Sequence, residues 1–316
     1  WFCMLFAAGM GIGLMFWAVA EPVAYYTGWY ETPFNVEANT NEARNLAMGA
    51  TMYHWGLHPW GIYAIVALSL AFFAFNKNMP LTIGGVKILS NINMGVAGVL
   101  LLFVIFAGPT MTILETLWVT SSNYVGNALQ LSNPFGREDE AWFQGWTVFY
   151  WAWWISWSPF VGMFIARVSK GRTVREFVTA VLIVPTVITV VWMSAFGGAA
   201  IEQIQQGIGE LAENGLTEVS LATFQMFANL PLTGILSFVG IVLVLVFFVT
   251  SSDSGSLVID SITAGGKTDA PTAQRVFWVV AEGAIAAALI FGGGEDALGA
   301  IQATAISAGL PFTVVL

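Results

Sequence analysis

Long apolar runs separated by short polar stretches set the pattern of this chain. A membrane span needs roughly 20 predominantly apolar residues. Eight segments meet or approach that length: about 1–24, 47–75, 92–119, 146–167, 177–201, 232–258, 274–294 and 298–316. Polar stretches lie between them at 25–46, 76–91, 120–145, 168–176, 202–231 and 259–273. Residues 120–145 start amphipathically and end in turn residues, which predicts an interfacial, extracytoplasmic helix followed by a loop. The expected fold class is an all-α polytopic membrane protein, one transmembrane domain over 1–316.

Composition strengthens this reading. The 316 residues are 57% hydrophobic and 9% charged, against about 25% charged in a soluble domain. A net charge of −9 argues against nucleic acid as a partner. A single cysteine, Cys3, excludes an internal disulfide framework. Both ends fall inside apolar runs without a charged leader or cleavage site, so no signal peptide is expected. The chain reads as a fragment of a longer membrane protein.

Orientation follows from the basic residues, which accumulate in cytoplasmic loops. Of ten Lys and Arg, only Arg44 and Arg137 fall outside one set of alternate loops, which holds Lys77, Lys87, Arg167, Lys170, Arg172, Arg175, Lys267 and Arg275. The opposite side collects acid, including Glu31, Glu37, Glu138, Asp139, Glu140 and Glu210. The first segment therefore enters from the cytoplasm.

Two segments carry helix-breaking residues. The first holds Gly9, Gly11 and Gly13 in alternation. Each glycine disfavours a helix by about 1 kcal/mol relative to alanine, which predicts local unwinding; close helix packing is the alternative. The fourth holds Ser156, Ser158 and Pro159 at its middle, which predicts a second break because proline lacks a donor and clashes with the preceding turn. Paired breaks in spans point to the substrate site of an inverted-repeat transporter.

The aromatic residues sharpen that picture. Trp55, Trp60 and Tyr63 fall within one broad helical face of the second segment, and "WAWWISWSPF" places Trp153, Trp154 and Trp157 at i, i+3 and i, i+4 spacings. Two such faces opposed form a box suited to a quaternary ammonium, each ring contributing ~0.5–2 kcal/mol. An interfacial aromatic belt is the competing explanation and fits Trp142 and Trp146.

His54 and His58 stand one helical turn apart, a spacing open to metal or haem, with a structural or gating role as the alternative. A haem- or metal-bearing membrane oxidoreductase is accordingly the rival from another class. The run "TSSDSGS" from Thr250 offers hydroxyls and carbonyls to Na⁺, or hydroxyls back-bonded to the previous turn. No nucleophile–base pair, P-loop or CxxC pattern occurs, so neither a hydrolase nor an ATP-driven pump is expected, and the protein is read as no enzyme and without cofactor.

Taken together, "GMGIGLMFWAVAEP", "MYHWGLHPWGIYA", "WTVFYWAWWISWSPFVGMFIARVSKGR" and "TSSDSGS" resemble the betaine/choline/carnitine transporter family over nearly the whole chain. The resemblance implies a secondary carrier with a five-plus-five inverted-repeat, sodium-symporter-like core in a bacterial inner membrane, importing a betaine-type osmolyte with Na⁺ by alternating access, and trimeric by family analogy. A sodium-independent or proton-coupled exchanger of betaine, carnitine or choline is the alternative within the family. It implies a central box of Trp55, Trp60, Tyr63 and Trp154, with Trp153 and Trp157 at an inward-facing position and Gly9, Gly11 and Gly13 beside the substrate. It further implies Na⁺ at Ala7, Met10, Thr250 and Ser251, with Phe160 beside a second site. Gly13, where choline carriers have Asp, favours a zwitterion such as glycine betaine. The family has two more helices near 76–91, so eight spans stand for a ten-helix core.

Overall fold

The computed structural model describes residues 2–6, 10–75, 84–265, 271–292, 296–307 and 309–315, and among these every regular element is a helix. The first apolar segment becomes α1 (Phe2–Leu5) and α2 (Met10–Thr27). Gly11 and Gly13 are helical within α2, so the unwinding expected there does not occur at them; Ala7 and Gly9 lie outside the described residues. Their missing side chains serve contact instead. A Cβ on Gly13 would stand 2.6 Å from the Trp55 ring, and one on Gly11 would overlap the ring of Phe247.

The second segment is two helices rather than one, α3 (Asn41–Trp55) and α4 (Leu57–Phe75). They meet at Gly56, whose ψ of −131° no helix continues. The third segment also divides: α5 (Gly84–Ala107) stops at Gly108–Pro109, and α6 (Thr110–Ser132) begins ten residues before the expected interfacial helix. Pro109 forces this division, because proline disfavours helical conformation in the residue before it.

A short α7 (Glu140–Trp142) runs through a π-helical turn at Phe143–Val148 into α8 (Phe149–Val168). The break expected at Pro159 is absent, and the helix passes straight through it. Pro159 has no N–H for the Ile155 carbonyl four residues earlier; the Ser158 hydroxyl donates to that oxygen instead, at 2.7 Å. The irregular turn lies earlier, at the π-helical residues.

Then come α9 (Val174–Gln205), α10 (Glu210–Asn214), α11 (Ala222–Ala228), α12 (Thr233–Thr263), α13 (Thr272–Gly292), α14 (Asp296–Ser307) and α15 (Gly309–Val315). A capping box starts α9: Thr173 Oγ1 accepts from the Glu176 amide, and the Glu176 carboxylate accepts from the Thr173 amide. Those donors, the backbone N–H first and the hydroxyl second, hold the Glu176 carboxyl below the ordinary glutamate value.

Among the described residues four helices are long and apolar enough to cross a membrane: Ile88–Ala107 within α5, α9, α12 and α13. The remaining expected spans are divided helices or, in α8, a helix rich in Trp and Ser. Helix α2 occupies the core, with Ala18, Val19, Ala20, Val23, Ala24 and Tyr25 fully buried. A helix apolar all round belongs in the interior, and neighbours reach its backbone directly. Trp192 of α9 donates its indole N–H to the Leu14 carbonyl at 3.0 Å, and Thr223 of α11 donates to the Met15 carbonyl at 2.6 Å. Pro22 leaves the Ala18 carbonyl without its helical donor, and Gly197 lets α9 approach there: a Cβ would lie 3.0 Å from that oxygen.

Candidate substrate site

The bend at Gly56 frees polar backbone groups inside the protein, and aromatic side chains take them up. The Leu57 amide donates to the Tyr124 hydroxyl at 3.1 Å. The His54 carbonyl, in the last turn of α3, accepts the Trp154 indole N–H from α8 at 3.0 Å. That bond pins the α8 cluster to the junction of α3 and α4.

Around it the rings converge. Trp55 and Trp154 stand edge to face with centroids 5.2 Å apart, Tyr63 and Trp154 5.9 Å apart, and Trp60 and Tyr63 6.1 Å apart. All four are at most 3% exposed. Three helices thus bring together Trp55, Trp60, Tyr63 and Trp154 in edge-to-face contact.

Trp153 and Trp157 behave differently. They stack on each other at 5.7 Å, continuing to Phe149 on one side and Phe160 on the other, and both are part-exposed. Among the described residues they form a separate stack from Trp154, so the six aromatic residues are two groups, not one box. Trp142 and Trp146, which suited an interfacial belt, are buried against Tyr25 with centroids 5.3 and 4.9 Å away.

The polar centre beside the box is Glu21, fully buried in α2. Its Oε1 accepts from the Tyr25 hydroxyl at 2.8 Å and faces His54 Nδ1 at 2.9 Å. Its Oε2 accepts from the Trp55 indole and the Tyr150 hydroxyl, each at 2.6 Å. A carboxylate only accepts, so the network assigns the proton to His54 Nδ1 and leaves Nε2 to accept from Thr147, 3.0 Å away. Four donors on one carboxylate satisfy a group that is very costly to bury unpaired. They also fix the Trp55 ring, which belongs to the box.

Both nitrogens of His54 are thereby committed, while His58 turns to the Tyr124 hydroxyl at 3.1 Å. The two histidines do not converge on a shared coordination point. Glu21, Tyr25, Tyr150 and Thr147 were not singled out in the sequence. The available signal was Glu21 itself, an acid within an apolar span, which is a functional candidate by default.

Met10 is buried at the start of α2, and Thr250 is buried in α12. The two elements touch where Phe247, one turn before Thr250, covers Gly11. Thr250 donates to the carbonyls of Val246 and Phe247, both at 3.0 Å, while the buried Ser251 hydroxyl oxygen has no protein partner among the described residues. Phe160 faces Gly255 of α12 across 3.7 Å, measured to a Cβ built there. Asp253 is exposed.

Comparison with known proteins adds to this geometry. A family model described as BCCT, betaine/carnitine/choline family transporter, matches residues 1–85 and 82–316. Glycine betaine transporter 1 of Vibrio parahaemolyticus is 56% identical over 396 aligned residues, covering 100% of this chain and 76% of the relative. A glycine betaine/proline/choline/ectoine transporter of the same organism is 49% identical, covering 100% and 70%. A glycine betaine transporter of Bacillus subtilis is 36% identical, covering 100% and 76%.

Proposed function

The chain belongs to the betaine/carnitine/choline transporter family, and from that premise we propose that it imports glycine betaine or a similar quaternary-ammonium solute, coupled to Na⁺, by alternating access. Its relatives are transporters, so the protein is a membrane carrier and not an enzyme. The observation that carries the substrate reading is the meeting of Trp55, Tyr63 and Trp154 from α3, α4 and α8. Ring faces attract a methylated ammonium that has no hydrogen to donate, and three or four contacts of ~0.5–2 kcal/mol each suit a carrier that must also release its load.

The rings meet edge to face, and on this reading the substrate ammonium binds against ring faces. Na⁺ sits between the first segment, at Ala7 and Met10, and the hydroxyls of Thr250 and Ser251, so that the doubly loaded state favours closure. The apposition of Gly11 and Phe247 supports this pairing of elements. No bond of the substrate is made or broken.

The architecture on this reading is a five-plus-five inverted repeat in the bacterial inner membrane, trimeric by family analogy, with eight of ten core helices present. The family match falls into two blocks that meet at residues 82–85. The alignment to the Vibrio relative runs to 396 positions against 316 residues here. Both observations support the absence of a helix pair near 76–91.

The test is uptake of radiolabelled betaine into proteoliposomes with and without a Na⁺ gradient, for the wild-type chain and Trp154→Leu. Uptake should require Na⁺ and fall to background in the variant. Undiminished uptake by Trp154→Leu would remove the aromatic box from the mechanism.

A further inference from the structure

We infer that Glu282 of α13, with the hydroxyls of Ser252 and Ser256 of α12, forms a binding site for a hard monovalent cation of the Na⁺ class. The inference rests on the transport reading and concerns a place apart from Met10, Thr250 and Ser251. Glu282 is the one acid in Thr272–Gly292 and stands near the middle of that span. Ionisable groups at such depth are rare and mark ion or substrate pathways.

The behaviour of the neighbouring serines distinguishes the place. A helical serine ordinarily returns its proton to the carbonyl four residues earlier, as Ser254 does to Thr250 at 2.7 Å and Ser261 does to Leu257 at 2.9 Å. Ser252 and Ser256, one turn apart on the same face, instead turn across to Glu282. Ser252 Oγ lies 3.1 Å from Oε2, and Ser256 Oγ lies 3.2 Å from both carboxylate oxygens. Gly255 between them presents no side chain: a Cβ there would be 3.9 Å from Glu282 Oε1.

These separations are long for a charge-assisted O–H···O⁻ bond, which runs about 2.5–2.7 Å. They match neighbouring oxygens around a hard cation, roughly 3.0–3.7 Å apart when each ligand stands about 2.3–2.6 Å from the ion. A single carboxylate balances a single positive charge. No group of three or more His, Cys, Asp or Glu occurs among the described residues, whereas divalent ions collect several carboxylates. The donor set is therefore four oxygens from two helices with one negative charge.

The test is binding of radioactive sodium to the purified full chain by a proximity assay, with binding of radiolabelled betaine measured on the same preparation. Glu282→Gln and Ser252→Ala/Ser256→Ala should each lower the sodium bound per chain by about one ion, leaving the ion proposed at Met10, Thr250 and Ser251. The serine pair retains the carboxylate and decides the matter if Glu282→Gln does not fold. Sodium binding equal to wild type in the serine pair, or no sodium binding by the wild type, overturns the inference. Retained betaine binding in that case leaves the transport reading standing. Loss of betaine binding with the sodium effects intact faults the transport reading alone.

Discussion

Replacing Glu21 with leucine tests whether the buried carboxylate holds the aromatic box in place. The substitution removes the acceptor for four donors: Tyr25, His54, Trp55 and Tyr150. Two of them can recover, because the Tyr25 hydroxyl lies 3.0 Å from His54 Nδ1 and can donate to it once the ring adopts its other tautomer. The Trp55 N–H and the Tyr150 O–H have no second acceptor among the hydrogen bonds described. At about 1–3 kcal/mol for each buried donor left unpaired, the loss is about 2–6 kcal/mol. Removing a desolvated charge returns part of it, so a net destabilisation of about 2–4 kcal/mol is expected. Glu21→Gln keeps one acceptor oxygen for Trp55 and Tyr150 and offers its amide to His54; it should lose about 1–2 kcal/mol, the difference between charged and neutral hydrogen bonds. Thermal unfolding in detergent, followed by tryptophan fluorescence, should show Glu21→Leu melting at least about 4 °C below wild type, with Glu21→Gln between them. The loss should shrink by about 1 kcal/mol or more in a Trp55→Phe background, where the orphaned indole N–H no longer exists. Coincident melting of Glu21→Leu and wild type would refute the account, and so would an unchanged loss in the Trp55→Phe background.

Two further outcomes follow from local geometry. Ser158→Ala leaves the Ile155 carbonyl without a donor, which should cost about 1 kcal/mol; Ser158→Ala/Pro159→Ala restores a backbone N–H and should recover it, as melting temperatures of the two variants would reveal. Glu176 titrates below the ordinary glutamate value because Thr173 donates to its ionised form. Its contribution to the start of α9 is therefore present above the unfolded value of about 4.3 and is lost as pH falls through the lower folded value. Carbon NMR of the Glu176 carboxyl should show the midpoint rising in Thr173→Ala; an unchanged midpoint contradicts the capping box as its cause.

What was legible in the sequence, and what was not, divides along physical lines. Apolar spans follow from local composition, so most of the long helices were visible as runs. The divisions at Gly56 and at Gly108–Pro109 also have local signals, but the apolar character continues across them and masks the break. Pro159 is a subtler case: whether a proline breaks a helix depends on whether another donor reaches the freed carbonyl, and Ser158 does so. Trp153, Trp154 and Trp157 could not be sorted by spacing, since neighbours on a helix differ by about 100° and only the packed partners decide which ring faces the box. Glu21 was hidden inside an apolar run, and three of its four partners lie 33 to 129 residues away. Yet the box depends on it. Rings attract a cation through their faces but have little means of fixing their own orientation, and a loosely held cage gives up affinity to the ordering of its walls. With Trp55 tied to Glu21 and Trp154 tied to the His54 carbonyl, two box walls are anchored by polar bonds outside the cavity. On the proposed reading, those anchors occupy both indole N–H groups, which would make the buried acid a positioning residue of an otherwise apolar site.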